Sequence, residues 1–383
     1  MLPSKSRIAF VSTMAGAPWG GSEELWCQSA LRLAKRGKLI AASVYKWPKT
    51  PQSVSCLLAA GVKVQQRPFE HGLLSRIRRK IVVPNMRSHV FEIMQFLKWV
   101  QPSLIVLSDG KPLPPIDVIE LCIERKWKFV TIGHNGSDCW WPGDEIAARY
   151  RDALKVARMC YFVSENVRRL IEKQLGCVIS NSDIVRNPFN VAYDVNLLWP
   201  MLRQSEEVCF ACVGSLHPNW KGQDLLLEAL AKPVWQSRAW RLTFFGEGPS
   251  KNVLERLVSN LGLGNRVLFA GHVSSIVNIW KANHVLVQPS RSEGLPISIV
   301  EAMLCGRPVV ATDVAGHSEV IDDGVNGFLA DAPTTKSLEE AIERLWINRF
   351  KLEQMGSAAR DLIRKRVPAD PVGVFLEKLV NCL

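Results

Sequence analysis

The stretch HVLVQPSRSEGLPISIVEAMLCGRPVVATDVAGHSEVI, residues 284–321, decides the fold. It contains two apolar runs, HVLVQPS and PVVATDV, which are typical of buried parallel strands. Between them, Pro296 suits the first position of a helix and Gly306 suits its C-terminal cap. The sequence therefore predicts a helix over 296–304 between two strands. This βαβ order indicates a parallel sheet.

The same alternation extends in both directions. VCFACVGS, RLTFFGEG and RVLFAGHV are further strand candidates in the second half, and LIVLSD, FVTIGH and YFVSEN in the first. At the N-terminal end, a strand over 7–12 enters the loop 13–21, and Ser22 with two following glutamates is a helix start. The alternative for this end is a signal-like apolar stretch with a small-residue cleavage site. The following helix and the strand over 39–45 favour a βαβ unit.

The length of 383 residues predicts two domains. We predict an N-terminal Rossmann-like domain over 1–190 and a C-terminal one over 200–365. The breaker-rich segment 187–204 is the predicted linker. A helical tail over 366–383 is predicted to follow. The fold class is therefore α/β, with two doubly wound domains.

The net charge of +12 is confined to the first half of the chain. Residues 1–190 carry 28 Lys and Arg against 15 Asp and Glu, whereas residues 191–383 carry 20 against 21. This asymmetry predicts that the first half binds an acidic partner. Nucleic acid, a phosphorylated substrate and an anionic membrane surface all fit the charge. No zinc-finger, RNA-binding or helix-turn-helix pattern accompanies it, so we expect no nucleic acid.

The ten cysteines do not form a metal or disulfide framework in this prediction. The CxxC pair, Cys209 and Cys212, falls within an apolar strand, where residues three apart point to opposite faces. Irregular spacing in a chain of this length favours a reducing compartment and a cytoplasmic location. The chain also contains no DxD triplet, and no apolar run approaches the ~18 residues of a membrane span.

A dinucleotide cofactor is not expected in the first half. The loop reads Gly16-x-x-x-Gly20-Gly21 instead of G-x-G-x-x-G, and no acidic residue follows the strand over 39–45. The loop is either a tight strand-to-helix turn or a place where backbone amides approach a phosphate or a sugar.

The helix over 296–304 supplies the candidate chemistry. Gly294 and Leu295 place backbone N–H groups at a helix start, which attracts anions. Glu301 lies about 7.5 Å further along the helix axis, where it can accept hydrogen bonds from ribose hydroxyls. Glu293 precedes the helix on the side where a sugar would lie. The alternative is a capped surface helix with solvated glutamates.

The spacing Glu293-Gly-Leu-Pro-x4-Glu301 resembles the E-x7-E motif of retaining GT-B glycosyltransferases, glycosyltransferase family 4. Other segments match the pattern of this family in order. The resemblance is dense over 160–330 and thin over 40–125. It implies a GT-B fold with two facing Rossmann-like domains and a C-terminal helix. The matching segments are VGSLHPNWKGQDLLLEAL, FFGEGP, FAGHV and GVNGFL in the second half, and GGSE at 20–23, His134 and VSEN at 163–166 in the first.

The resemblance implies a role for each matching residue. Glu301 would bind the ribose, and Glu293 would contact the hydroxyls of the transferred sugar, with the amides of Gly294 and Leu295 near it. Lys221 would hold the diphosphate and stabilise the charge on the leaving group. We therefore place catalysis at His134, Lys221 and Glu293, and add Gly21 to the residues that bind the donor.

Two positions carry an alternative or a departure from the family pattern, His134 and residue 215. His134 would reach the sugar near the reacting carbon; a buried turn histidine is the alternative. Ser215 stands where the family commonly has arginine, so a phosphate-binding cation is missing. Arg291 and Lys221 are the candidates to compensate. Serine in place of this arginine also fits a non-catalytic member of the family.

A basic stretch, LLSRIRRKIVV at 73–83, contains Arg76, Arg78, Arg79 and Lys80. Its apolar residues share a helical face, which is typical of a segment that binds an anionic membrane or phosphates. A solvated helix face is the alternative. We hypothesise a peripheral position at the inner face of a membrane and a lipid-phosphate-linked glycan as the acidic acceptor.

The sequence thus predicts a retaining, metal-independent transferase that moves a sugar from a nucleotide-sugar to an acceptor hydroxyl in polysaccharide or glycolipid assembly, with no bound cofactor. Three alternatives remain: a GT-B nucleotide-sugar epimerase, a glycoside hydrolase with paired carboxylates, and a non-catalytic nucleotide-sugar-binding subunit.

Overall fold

The computed structural model describes residues 7–69, 87–200 and 207–383. The chain divides into two compact units, one formed by Met1–Pro188 with Asp370–Leu383, and the other by Phe189–Ala369. The predicted basic cluster at residues 76–80 lies outside the described residues. Unit 2 thus begins at residue 189, within the predicted linker.

Unit 1 is built on a seven-stranded parallel sheet in the order β3-β2-β1-β4-β5-β6-β7. Its central strands are continuous apolar runs because helices cover both faces of the sheet. In β4, LIVLSD, every residue is buried. The strands are β1 Arg7–Ser12, β2 Leu39–Tyr45, β3 Lys63–Arg67, β4 Leu104–Asp109, β5 Phe129–Gly133, β6 Met159–Phe162 and β7 Ser182–Ile184. The helices described between them are α1 Gly21–Lys35, α2 Gln52–Ala59, α3 Ser88–Val100, α4 Ile116–Glu124, α5 Asp144–Val156 and α6 Glu165–Leu175.

Unit 2 repeats this plan with a six-stranded parallel sheet in the order β10-β9-β8-β11-β12-β13. Hydrophobic side chains of the strands and of the flanking helices form its core. The strands are β8 Val208–Val213, β9 Trp240–Phe245, β10 Val267–Gly271, β11 Val285–Gln288, β12 Val309–Thr312 and β13 Gly327–Ala330. The helices are α7 Pro218–Lys221, α8 Gln223–Leu230, α9 Pro233–Gln236, α10 Lys251–Asn260, α11 Ile276–Ala282, α12 Ile297–Leu304, α13 Thr335–Ile347 and α14 Leu352–Arg366.

The last helix, α15 Pro371–Val380, is not a separate tail. Its buried residues Val372, Phe375, Leu376 and Leu379 belong to the same hydrophobic cluster as β1 and α1 of unit 1. These buried side chains therefore join the predicted helical tail to unit 1.

Two helix starts differ from the prediction. Helix α1 begins at Gly21 with Gly20 as its N-cap, and the Ser22 hydroxyl contacts the Met14 sulfur instead of capping the helix. Helix α12 begins at Ile297, because Pro296 has an extended backbone with ψ of 130° and is the N-cap. Gly306 follows the end of α12 with φ of +70°, a left-handed conformation that favours glycine.

Candidate active site

An ion pair lies at the carboxyl ends of the central strands of unit 2. The Lys221 ammonium donates to Oε1 of Glu293 at 2.5 Å. The Ser290 hydroxyl and the Gln288 amide donate to the same oxygen at 2.8 and 3.2 Å. One carboxylate oxygen of Glu293 is therefore held by three donors that come from β11, the loop after it and the end of α7.

These neighbours keep Glu293 ionised although only 7% of it is exposed. Burial alone would raise the pKa of this carboxyl, but the positive charge of Lys221 and the hydrogen bonds from Lys221 and Ser290 outweigh burial and lower it. Glu293 thus presents a fixed negative charge beside a cation. Such a pair can exchange its internal contact for ligand contacts of both signs.

Glu301 lies in the second turn of α12 and is 3% exposed. Its Oε1 accepts hydrogen bonds from the backbone N–H and the side-chain amide of Asn190 at 2.8 and 3.0 Å. Burial raises the pKa of Glu301 to about 7, and the two bonds from Asn190 only partly oppose this rise. A buried carboxyl that titrates near neutral pH is a candidate functional group.

The start of α12 lies between these two glutamates in the sequence. The Leu295 side chain is buried in a hydrophobic cluster with residues of α12, which anchors the helix start. The Gly294 carbonyl accepts the Gly316 N–H at 2.8 Å, so the loop after β12 packs against this segment. The first amides of a helix have no partner within it and carry its positive dipole.

Arg291, the other candidate phosphate-binding cation, is paired with an acidic residue in the ligand-free chain. Its two terminal nitrogens each bind one oxygen of Asp224 at 2.7 Å, and one of them also donates to the Pro218 carbonyl. This bidentate pair clamps the Arg291 loop to α7 and α8, which is a positioning role. Ser215 is exposed, and its carbonyl accepts the Gln223 amide at 2.8 Å.

The position of Lys221 at the end of α7 depends on the next residue, Gly222. Gly222 joins α7 to α8 with a φ of +64°. A Cβ on Gly222 would lie 1.9 Å from the Pro289 carbonyl oxygen. We expect Gly222→Ala to destabilise unit 2 by about 2 kcal/mol or more, because it adds a clash to a strained backbone. The thermal unfolding midpoint measures this. Gly264→Ala is the matched control, since a Cβ there meets nothing within 4 Å; an equal midpoint for the two variants would contradict the argument.

In unit 1, polar side chains gather where β1, β4 and β5 end. The Ser108 hydroxyl and Nε2 of His134 are 3.1 Å apart. Burial lowers the pKa of His134 to about 3, so the imidazole is neutral. Gly21, predicted to bind the donor, is the first residue of α1 in the same unit. His134 therefore acts on any ligand as a neutral donor or acceptor.

Two buried acids share this edge of unit 1. Oδ2 of Asp109 accepts the Thr13 hydroxyl at 2.7 Å, and Oδ1 accepts the Lys111 N–H. Burial raises the pKa of Glu23, in the first turn of α1, to about 7. The β1/β4 junction is the point where the strand order reverses, and ligands of such sheets bind there.

Three features concern metal binding, membrane crossing and the cysteines. Within the described ranges, no group of three or more His, Cys, Asp or Glu side chains has the arrangement to hold a metal ion. In the same part of the chain, no helix has both the length and the apolar character that crossing a membrane requires. All ten cysteines are free thiols.

Sequence reasoning missed several partners of the site. Gln288 did carry a signal, since it is a polar residue at the end of an apolar strand. Asn190 carried no signal in the sequence, because it lies 111 residues from its partner Glu301 along the chain. His317, which is fully buried beside the site, was also missed.

Comparisons with known proteins agree with this architecture. Over 98% of its length, the chain is similar in fold to HepE from Anabaena, which is covered completely and is 19% identical in sequence. The TM-score is 0.73 for the crystal structure of HepE in complex with UDP and 0.71 for the complex with UDP-glucose. The chain is 34% identical to an alpha-D-kanosaminyltransferase of Streptomyces kanamyceticus over 144 residues. This matched stretch is 37% of the length of each protein. It is also 29% identical over 159 residues to a poly(ribitol-phosphate) alpha-N-acetylglucosaminyltransferase of Staphylococcus aureus (strain COL), 41% of this chain and 32% of that protein.

Two parallel-sheet Rossmann-like units of this kind define the GT-B class of folds, as the sequence predicted. Residues 207–348 match the family described as glycosyl transferases group 1. This match lies within unit 2. It spans about a third of the length of the curated relatives described above.

Proposed function

We propose that the protein is a retaining glycosyltransferase, which transfers a sugar from a nucleoside-diphosphate sugar to an acceptor hydroxyl. The observation that carries this proposal is the Lys221–Glu293 ion pair beside the start of α12, with the buried Glu301 in the same helix. A cation, a helix start and two carboxylates match the diphosphate, the sugar and the ribose of such a donor. Retention follows from the family resemblance.

In this proposal each group in unit 2 has one task. The Lys221 ammonium leaves Glu293 and binds the diphosphate, where it stabilises the charge that develops as the bond between sugar and phosphate breaks. The amides at the start of α12 add to this stabilisation. The Glu293 carboxylate then accepts hydrogen bonds from the sugar hydroxyls, and Glu301 accepts those of the ribose.

Unit 1 is the proposed acceptor-binding unit, and His134 is its proposed catalytic residue. The excess positive charge of residues 1–190 supports an acidic acceptor. One similar protein is named for poly(ribitol-phosphate), an acidic polymer. We propose polysaccharide or glycolipid assembly, with a lipid-phosphate-linked glycan as the acceptor class.

The test of this function is binding and slow hydrolysis of nucleotide-sugars. The full chain is titrated with UDP-glucose, GDP-mannose and ADP-glucose by calorimetry, and release of the free sugar is followed. We expect one donor to bind and to be hydrolysed slowly without an acceptor. Activity is expected to survive EDTA, since Lys221 and the helix start supply the positive charge. Failure of all donors to bind would refute the proposal.

A second candidate is a nucleotide-sugar-binding subunit without activity. The observation that favours it is the exposed Ser215 where the family commonly has arginine, together with the pairing of Arg291 to Asp224. This candidate predicts donor binding with no hydrolysis. If Ser215→Arg then creates or strongly raises hydrolysis, the missing cation is the cause.

Peripheral membrane binding is tested with vesicles. Each basic residue near an anionic surface contributes about 1 kcal/mol. Replacing Arg76, Arg78, Arg79 and Lys80 with alanine should therefore release the protein from anionic vesicles, as should high salt. The control removes the same charge from exposed positions of unit 2, Lys232, Lys251, Lys281 and Lys336. Equal release by both variants, or no binding by the wild type at low salt, would contradict the role of this stretch.

A further inference from the structure

A fully buried histidine lies next to the Lys221–Glu293 pair. His317 begins the short 3₁₀ helix His317–Glu319 and has no exposed surface. Its Nδ1 is 2.6 Å from the Thr312 carbonyl oxygen, which only accepts, so Nδ1 carries the proton. The other nitrogen, Nε2, is then an acceptor. Among the described residues it has no hydrogen-bond partner.

His317 belongs to the surroundings of Glu293. The Gly316 N–H binds the Gly294 carbonyl at 2.8 Å, which holds the segment before His317 against the residue that follows Glu293. The charged groups that act on the imidazole are Glu293, Lys221 and Asp313. Burial lowers the pKa of His317 and outweighs the attraction of Glu293. The ring is therefore neutral, and Nε2 keeps its free lone pair.

A buried acceptor without a partner destabilises the folded chain. Another buried histidine of unit 2, His284, shows the contrast. Its Nδ1 accepts the Cys209 N–H at 2.9 Å, so its Nε2 carries the proton. His284 precedes β11, at the opposite end of the strand from Glu293. Of these two buried histidines, His317 is the one that combines an unpaired acceptor nitrogen with a place beside the ion pair.

We propose that Nε2 of His317 accepts a hydrogen bond from a hydroxyl group of the sugar that Glu293 binds, which makes His317 a residue that determines donor specificity. This inference rests on the proposed function. Lys221 binds Glu293 in the ligand-free chain, and its move to the diphosphate uncovers the carboxylate and the imidazole beside it. The sugar then satisfies the acceptor that the free protein leaves unpaired.

The experiment compares wild type with His317→Phe, which keeps the ring and removes both nitrogens. The full chain is titrated by calorimetry with the donor that binds best among UDP-glucose, GDP-mannose and ADP-glucose, and with the matching nucleoside diphosphate. We expect about tenfold weaker binding of the nucleotide-sugar, the scale of one hydrogen bond. Binding of the nucleoside diphosphate should not change. His284→Phe is the control and should change neither affinity.

Deoxy-sugar analogues separate a direct contact from a change in site shape. The titrations are repeated with the complete set of monodeoxy analogues of the same donor. For one analogue, wild type and His317→Phe should bind equally, because the bonding hydroxyl is gone. A constant difference across all analogues would overturn the contact. If His317→Phe does not fold, His317→Leu and His317→Gln replace it, and only the glutamine, which retains an acceptor, should preserve part of the affinity.

The outcomes distinguish the two proposals. If the wild type binds no nucleotide-sugar, the proposed function fails and this inference fails with it. If the wild type binds a donor and His317→Phe binds it equally well, the proposed function stands and the role of His317 is refuted.

Discussion

Lys221→Ala should lower turnover about 10²–10³-fold and weaken donor binding as well. The ammonium contacts Glu293 in the free chain and is the side-chain cation that the proposed mechanism assigns to the leaving diphosphate. Its loss removes charge stabilisation that is greatest in the transition state, so kcat falls more than affinity. Steady-state kinetics and calorimetry with the preferred nucleotide-sugar measure the two effects. Lys251→Ala, at an exposed position of the same unit, is the control.

A stability effect must be separated from this kinetic effect. Lys221→Ala leaves the Glu293 carboxylate buried without its counterion, and breaking a buried ion pair destabilises a protein by about 3–5 kcal/mol. The 24% exposure of the Lys221 side chain and the remaining donors, Ser290 and Gln288, reduce this cost. The double variant Lys221→Ala/Glu293→Gln should recover stability but not turnover. If it recovers turnover, neither the ammonium nor the carboxylate serves the reaction, and the loss in Lys221→Ala is one of stability alone.

The residues of unit 1 provide a contrast to this result. His134 is neutral and bound to Ser108, so it carries no charge for the diphosphate. His134→Ala is therefore expected to lower kcat while donor affinity in unit 2 changes little. A loss of donor affinity equal to that of Lys221→Ala would contradict the division of roles between the two units.

The strands and the two glutamates could be predicted from the sequence, because both depend on local pattern. Continuous apolar runs marked the buried strands, and the spacing from Glu293 to Glu301 placed both near one helix start. The predicted helix began one residue early, since Pro296 is compatible with both the N-cap and the first helical position.

The hydrogen-bond partners of the site could not be predicted, because tertiary packing decides them. Arg291 had the right charge and the right loop for phosphate, yet Asp224, 67 residues away, binds it in a bidentate pair. The protonation state of Glu301 likewise depends on burial and on Asn190. Periodicity reveals which residues face the core but not which polar groups meet there.

Glu301→Gln is expected to weaken binding of the nucleotide-sugar by about 1.5–3 kcal/mol, or roughly 10–150-fold. The carboxylate accepts hydrogen bonds from ribose hydroxyls more strongly than an amide does, because it is charged. Calorimetry with the preferred donor measures the loss. Unchanged affinity would remove Glu301 from the ribose site.

The pH dependence of this effect has a definite sign. The pKa of Glu301 is about 7 in the free chain, and ribose hydroxyls favour the ionised form. Below this pH, binding must release a proton, so wild-type affinity should rise from pH 6 to pH 8 and then level off. Glu301→Gln should abolish the rise. A nucleotide-sugar is the proper ligand, because the terminal phosphate of a nucleoside diphosphate itself titrates near pH 6.

The stability of the same variant provides the second half of the test. Burial raises the pKa of Glu301 from its ordinary value, near 4.5, to about 7. The folded chain therefore loses stability as the pH rises through this range. Glu301→Gln removes this penalty, so its unfolding midpoint at pH 8 should equal or exceed that of the wild type. A variant that is at least as stable but binds the donor less well shows that the carboxylate serves the ligand. Loss of stability together with affinity would instead assign Glu301 to the fold, through its bonds with Asn190.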